Sequence, residues 1–531
     1  MIFAQRFANF DLFPTATRRI HRFARRSVTR VGRPVFVTAI LCLLAFCTLP
    51  VGVRTLSPNA GALDHKSKYL KAHLRNGEVY LLSDWTTDSA DKVLSGTGDH
   101  FNANRELIKQ GNLSIPIDSV ALFETNVISK SLRLRSLATM TGISAAATAI
   151  CLSNTKACFG SCPTFYVSDG DKPILQAEGF SASVLPSLEA TDLDALYRAR
   201  PSSRDLAVRM TNEALETHVV RSVRVLCAAR VPGTRVFATA NREFWRSGLI
   251  LPPSRCSAPE GDCTRQLRAL DGEERSSLAD ARDLSRHETI DLQFEDPGDA
   301  PLGIVLAARQ TLLSTFLLYQ TYAYLGTRAT EALAAFERDS SPAARVEGLA
   351  GLLGGIDVLM QEGGRWETVG TFHETGPLAT DVRLIPIPRG SGNRQRVRLR
   401  LAKGLWRIDS VALARLDERV IPQILEPTEV RSGAGRVDAP AFSRPLVTTP
   451  GDSFTFAFRL PEDFVNQELF LESRGYYLEW MRDEWMRDES RVRAAMMFLT
   501  PHLALRVLAP QFKALEPQME RQFWNSRYAL R

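Results

Sequence analysis

Beyond residue 34 the chain has no excess of either charge. Residues 1–34 hold eight arginines (Arg6, Arg18, Arg19, Arg22, Arg25, Arg26, Arg30, Arg33) against the single acid Asp11, a net of +7 that equals the formal charge of all 531 residues. The rest carries 58 basic and 58 acidic side chains. Phosphate-backbone binding rests on clustered Lys and Arg, so a neutral body excludes nucleic acid as an expected partner. Histidine is scarce as well. After the first 34 residues it occurs at His65, His73, His100, His218, His287, His373 and His502, and neither Arg286-His287-Glu288 nor His373-Glu374 has a second histidine within four residues. Metal-ligand spacing is therefore absent. No G-x-S-x-G elbow, phosphate loop or dinucleotide fingerprint occurs, and Gly96-Thr97-Gly98 lacks the third glycine. These absences leave no catalytic residue, no metal site and no cofactor to expect, and no motif stands behind an enzymatic role.

Long, strongly apolar runs are nearly absent too. The exception is Val35–Val53, VFVTAILCLLAFCTLPVGV, nineteen residues without a charge directly after the arginine stretch. Crossing a bilayer core takes about 20 apolar residues, and arginines on the N-terminal flank hold that side in the cytoplasm. Residues 1–34 read as a basic cytoplasmic segment and 35–53 as a transmembrane or signal segment. The body is then expected in the cell envelope, anchored to the inner membrane with its main part periplasmic. The alternative is a buried core helix. Three processing patterns fit imperfectly: Ala60-Gly61-Ala62 behind Pro58, the lipobox outline Leu44-Ala45-Phe46-Cys47, and Arg18-Arg19 as a twin-arginine pair. An uncleaved anchor needs no extra assumption.

Six cysteines follow: Cys151, Cys158, Cys162, Cys227, Cys256 and Cys263. An even number in an oxidising compartment permits three disulfides. Cys158 with Cys162 and Cys256 with Cys263 each close a short loop; Cys151 with Cys227 is the remainder, with buried free thiols as the alternative for that pair.

Patterning divides the chain further. Residues 54–68 are polar, broken by Pro58 and Gly61, and read as a linker. Residues 69–128 read as a small β module in which Asn76-Gly77 turns a hairpin, because both residues accept positive φ. Residues 129–155 contain Leu137–Leu152, sixteen uncharged residues, read as an apolar helix with a second span as the alternative. Residues 156–300 alternate short strand-like runs with turns, a β-rich disulfide-bearing domain in which Leu251–His287 forms a long surface excursion. Residues 301–340 read as a buried helix, clearest over Ala307–Phe336 and ended or bent at Gly326. Residues 355–460 read as a jelly-roll-like β-sandwich whose strand at Arg394–Leu401 alternates Arg394, Arg396, Arg398 and Arg400 with Val397, Leu399 and Leu401, one face wet and one in the core. Residues 461–531 read as a helical aromatic tail, with Glu479–Asp483 repeated as Glu484–Asp488. A five-residue step turns about 500° around a helix, so Trp480 and Trp485 do not share a stripe. The fold expected is mainly β with α, in several domains.

Cys158-Phe159-Gly160-Ser161-Cys162-Pro163-Thr164-Phe165-Tyr166, with the strings DSVALFETN, MTNEALETH, HETGP, GLWRIDSVAL and FLESRGYYLEWMRDEW, resembles a family of uncharacterised bacterial exported, lipoprotein-like envelope proteins. The resemblance spans most of residues 70–531 in scattered motifs and implies an envelope location without an activity. The C-x-x-x-C-P string is also similar to copper-delivery proteins of the thioredoxin fold, but the strand-turn-strand pattern after it favours a structural disulfide. Trp366 to Gly370, Glu374 to Pro377, Arg396 to Leu401 and Trp406 to Val411 are similar to the closing strands of jelly-roll carbohydrate-binding modules. That likeness makes Trp366, Trp406, Glu374 and Asp409 candidate ligand contacts, against the reading that both tryptophans are core. Glu213 and Glu216 could form an acid/base pair, but read better as solvated rim charges. A structural or interaction role leads, followed by glycan or cell-wall binding through the sandwich, then thiol-redox or metal handling at Cys158 and Cys162. Partners expected are the membrane, through residues 35–53, and an envelope protein or glycan.

Overall fold

A computed structural model describes residues 50–130 and 163–526, except 58–62, 64, 66, 68, 75–77, 89–91, 102–106, 170–171, 185–187, 213–215, 330–350, 363, 374–375, 391–393, 433–434, 438–444, 449–450 and 480–487. Contacts divide the chain into two units, residues 1–51 with 128–137 and residues 52–127 with 138–531. Only strand ends are described in the first. The second is mostly β.

One six-stranded sheet runs in the order Pro50–Ser57, Val120–Lys130, Tyr69–Leu74, Val79–Asp88, Val93–Phe101, Leu107–Pro116. Tyr69–Leu74 pairs antiparallel with Val79–Asp88, as the Asn-Gly signal requires. Alternate residues (Leu70, Ala72, Leu82, Leu94, Leu113, Ile115) fill its core. The stretch read as a linker contributes to it: Leu63 packs there, and the Trp85 indole N–H donates to the Ser67 carbonyl at 3.0 Å. A polar, proline-broken segment still supplies one apolar side chain and one carbonyl, which composition alone hides. Of the apolar segment, Val35–Leu49 lies outside the described residues, and Pro50–Val53 is extended in the strand Pro50–Ser57. The apolar stretch 137–152 also lies outside them. Among the described residues no single helix is long and apolar enough to cross a membrane.

Four further sheets stack through three cores. The second (Gly435–Val437, Glu429–Ser432, Ser453–Arg459, Asp205–Thr211, Thr164–Asp169, Lys172–Glu178) packs Phe165, Val208, Met210, Phe454 and Phe456 against Val223, Val225, Leu469 and Leu471 of the third. The third (Gln423–Leu425, Glu216–Ala229, Gln467–Glu479, Ala190–Ala195) turns Leu193, Leu226 and Phe470 toward Val305, Ala307, Val382 and Leu384 of the fourth. The fourth (Ile250–Leu251, Trp406–Arg415, Leu302–Gln310, Asp381–Ile387) turns Ile304, Leu306, Ile408 and Leu413 toward Ile290, Leu292, Val358, Val397 and Leu399 of the fifth. The fifth sheet runs Gly261–Asp262, Arg255–Ala258, His287–Glu295, Arg394–Ala402, Ile356–Glu362, Arg365–Phe372. A three-stranded sheet (Arg235–Ala238, Phe244–Ser247, Glu418–Val420) contributes Val236, Phe237 and Phe244 to the core between the third and fourth.

This stacking explains three departures from the sequence reading. Leu302–Gln310 is a strand buried at all nine positions, not the start of the helix. Lying between two layers, it needs apolar residues on both faces, and a short continuous apolar run of that kind has no period to separate strand from helix. The helix itself, α1, spans Leu313–Leu325 and is capped at Gly326, whose φ of 51° suits a residue without a Cβ. Gln467–Glu479, read as the start of the helical tail, is a 13-residue strand paired along Glu216–Ala229. Its Glu and Leu residues favour helix weakly, and burial between two neighbouring strands overrides that preference. The expected boundaries at 300 and 355 do not separate sheets: strands from 250–310 and 356–415 together form the fourth and fifth. The excursion Leu251–His287 is stapled by the Cys256–Cys263 disulfide, but it also buries Leu267, Arg275, Ala279 and Leu284. Two C-terminal helices follow, α2 (Arg491–Leu499) and α3 (Pro501–Ser526), and Phe512 of α3 meets Phe316 of α1 at 5.1 Å. The repeated Glu-Trp-Met-Arg-Asp string lies outside the described residues between 480 and 487.

Candidate functional site

The four residues picked as ligand contacts do not converge. Trp406 is 1% exposed and packs edge-on against Phe372 at 5.7 Å, a core residue of the sandwich. Asp409 is buried and accepts hydrogen bonds from the backbone N–H groups of Asp271 (3.2 Å) and Gly272 (3.1 Å), so it anchors the 251–287 excursion. Glu374 lies outside the described residues. Trp366 alone faces outward, with the Arg398 guanidinium 4.2 Å above its ring. Trp406 and Asp409 are thus corrected from ligand contacts to structural positions. Both lie on Trp406–Arg415, a strand between two cores, where neither face meets water.

Trp366 belongs to a larger arrangement on the outer face of the fifth sheet. Antiparallel pairing places directly opposed residues on one face. Arg255 lies opposite Gln293, and Gln293 opposite Arg396. One step beyond the rung Met360–Val397 brings Gln361 level with Arg396, and Gln361 pairs with Trp366. The row therefore reads Arg255, Gln293, Arg396, Gln361, Trp366 across five strands. With strands about 4.8 Å apart, it is about 19 Å long. The neighbouring rows are tied by ion pairs, Arg398 with Asp291 (2.6 Å) and Arg400 with Asp357 (2.7 Å). Arg255 and Arg396 make no ion pair among the described residues and are exposed. The Arg/Val/Leu alternation marked this face in sequence; only the sheet order brings Arg255, Gln293 and Trp366 to it.

Two buried polar groups went unrecognised. Glu216, read as a rim charge, is fully buried, and its carboxylate lies 3.0 Å from His218 Nε2, itself fully buried. Burial pushes the His218 imidazole down to about 3, with the Asp452 charge opposing. The neutral ring therefore donates from Nε2 to Glu216, while Nδ1 has no partner among the described residues. Glu213 lies outside them. The pair sits within the third sheet beside Tyr477, ring centroids 6.4 Å apart, and serves as an internal polar contact.

The second group lies where Ala190–Ala195 runs beside Asp381–Ile387. Arg383 Nε donates to Asp381 at 2.5 Å and its Nη2 to Asp192 at 3.3 Å. Asp194, 3% exposed, leaves Oδ2 without a partner among the described residues. Burial raises its carboxyl well above the usual range, the charges of Asp192, Asp381 and Glu178 add to that, and Arg383 opposes. The unfolded chain then releases this proton first, so the group withdraws stability as pH rises past about 4. Asp194→Asn is expected to raise the melting temperature at pH 7.5 by on the order of a few degrees. The gain should shrink as the pH falls toward 4. Scanning fluorimetry of both proteins at the two pH values checks this, and an unchanged or lower melting temperature at pH 7.5 would show that the carboxyl is compensated.

Among the described residues no group of three His, Cys, Asp or Glu side chains is arranged to hold a metal. Cys227 is a buried free thiol, pushed up to about 12 by burial, which is the alternative the sequence left for it. Its place on Glu216–Ala229 between two cores makes it a small apolar filler. Cys151, Cys158 and Cys162 lie outside the described residues.

No protein-family model and no curated protein matches the chain. Among solved structures, a GH31 alpha-xylosidase from Xanthomonas citri aligns at 8% identity over 80% of this chain and 38% of that one, with a TM-score of 0.12. The chain thus spans under two fifths of that protein's length, and a likeness at that score carries no argument.

Proposed function

We propose that the chain is an exported or membrane-anchored envelope protein with an interaction role, binding its partner on the outer face of the fifth sheet. The observation that supports this reading is the contrast between buried and open polar chemistry. Apart from Asp194, the buried carboxylates, imidazole and guanidinia described above are engaged with one another, whereas Arg255, Gln293, Arg396, Gln361 and Trp366 line one row on the outer face, the two arginines and Gln361 exposed and the other two half-buried. The confinement of the basic excess to the residues before Val35 supports the location. A glycan or cell-wall polymer is the partner class favoured, because an indole edge beside amides and guanidinia suits the apolar faces and hydroxyls of a sugar ring. The test is a pull-down of the full chain with peptidoglycan and envelope polysaccharides, beside proximity labelling in the native envelope. Retention that falls at least about tenfold in Arg396→Ala/Trp366→Ala, a loss of about 1.4 kcal/mol, is expected. Equal retention of the wild type and the double variant, or labelling confined to cytoplasmic proteins, would sink the reading.

A further inference from the structure

The helices α2 and α3 bury one face and leave a second apolar face open. Ala504, Leu505, Leu508, Ala509, Phe512 and Met519 enter the core beneath the fourth and fifth sheets. On the opposite side Val492 is 80% exposed, Leu499 68%, Leu503 52% and Val507 50%. The stripe continues through exposed Pro510, Ala514 and Pro517, spaced alternately four and three residues apart from Leu503 onward. A water-facing helix side ordinarily carries polar residues, so contiguous exposed aliphatics mark a contact surface.

We infer that this face lies against an anionic phospholipid surface. The helices' own exposed charge is of one sign: among the described residues, the exposed positions of α2 and α3 include Arg491, Arg493 and Arg506 and no acid, while Asp280 and Asp283 of the excursion line a groove with Arg506. Arg506 also holds Asp283 at 3.1 Å, and Arg493 lies 5.5 Å from the Tyr324 ring, which leaves Arg491 wholly outward. Basic residues rimming an apolar helix face suit an interfacial helix on anionic lipid. A second copy of the chain is a poorer occupant, because Pro510, Ala514 and Pro517 offer no large side chains to seat in a facing helix. Crossing the bilayer is excluded by the opposite face, which is committed to the protein core, and by the 120° bend between the helices. The inference rests on the membrane attachment proposed above.

The full chain would be added to vesicles of phosphatidylcholine alone and of phosphatidylcholine with phosphatidylglycerol, then footprinted with hydroxyl radicals and mapped by mass spectrometry. Labelling of Leu499, Leu503 and Val507 is expected to fall about threefold or more on the anionic vesicles, with Ile421 and Ile424, exposed elsewhere, as unchanged references. The difference should weaken at about 0.5 M salt and disappear in Leu503→Asp/Val507→Asp. Equal labelling on both vesicles with the chain bound overturns the inference while leaving membrane attachment standing. Protection that grows with protein concentration in lipid-free detergent assigns the face to a second copy and overturns it as well. A chain that binds neither vesicle overturns the attachment itself.

Discussion

Arg309→Met is expected to cost about 3–5 kcal/mol of unfolding free energy, among the largest losses available from one side chain. Arg309 is fully buried at the end of Leu302–Gln310, and its Nε and Nη2 donate to the two carboxylate oxygens of Glu274 at 2.5 and 2.7 Å. Nη1 donates to the Pro377 carbonyl. Glu274, 2% exposed, also faces Arg407, which reaches Glu520 of α3. One guanidinium thus ties the 251–287 excursion and the strand end to a network that extends to the C-terminal helix. Removing it takes the two-point guanidinium partner from a buried carboxylate, and under-compensated charge in a low-dielectric interior is what makes the loss large. Arg309→Met combined with Glu274→Leu should recover much of it, since it removes both desolvation penalties. Urea unfolding of the two single variants and the double variant checks this. A double variant no more stable than Arg309→Met would mean that the packing around the guanidinium, rather than its charge, fixes the excursion.

Acidification should act through His218. Its folded imidazole titrates near 3, against 6.5 when free. The unfolded chain therefore takes up the proton first. The contribution is complete above about pH 6.5 and is lost as the pH falls toward 3. At about 1.4 kcal/mol per pK unit, the full span is on the order of 5 kcal/mol. Asp194 works in the opposite sense, because its proton is held more tightly in the fold, so acid restores what it withdraws. Unfolding free energy measured from pH 7 to pH 4.5 should fall less steeply in His218→Gln than in the wild type, and superimposable slopes would show that the ring is not the group that titrates. Glu216 faces the imidazole at 3.0 Å, Tyr477 lies beside it and the Asp452 charge acts on it; glutamine keeps a polar amide toward Glu216, so the comparison reads chiefly the loss of the ring's proton uptake.

Local patterning made some of this legible. The alternation of Arg394, Arg396, Arg398 and Arg400 with apolar residues identified a half-wet strand, and the short loop between Cys256 and Cys263 identified a bonded pair. Both are properties of residues close in sequence. Hidden were the features that depend on what lies above a strand. Leu302–Gln310 and Gln467–Glu479 lie between layers, so their faces do not contrast. Glu216 looked like a rim charge beside a turn, because nothing nearby in the chain announces that the third sheet is covered on both sides. For the same reason Trp406 and Asp409 read as ligand contacts when one fills a core and the other holds a loop. The open row on the fifth sheet was half visible: Arg396 and Trp366 stood out, but Arg255 and Gln293 join them only through strand order.

The pairing of Glu216–Ala229 with Gln467–Glu479 carries a consequence for how the molecule comes into being. The two strands are about 240 residues apart, and Asp205–Thr211 waits in the same way for Ser453–Arg459. As the chain is made from its N-terminus, Glu216–Ala229 has no long partner until Gln467–Glu479 arrives, and that side of its backbone stays an unclosed edge until then. Contacts so distant in sequence form slowly, and an unpaired strand held open that long is a site for association with the wrong chain. A product ending before residue 467 would lack the long partner of Glu216–Ala229 in the third sheet, and synthesis would have to run past residue 479 before the central layers could assemble.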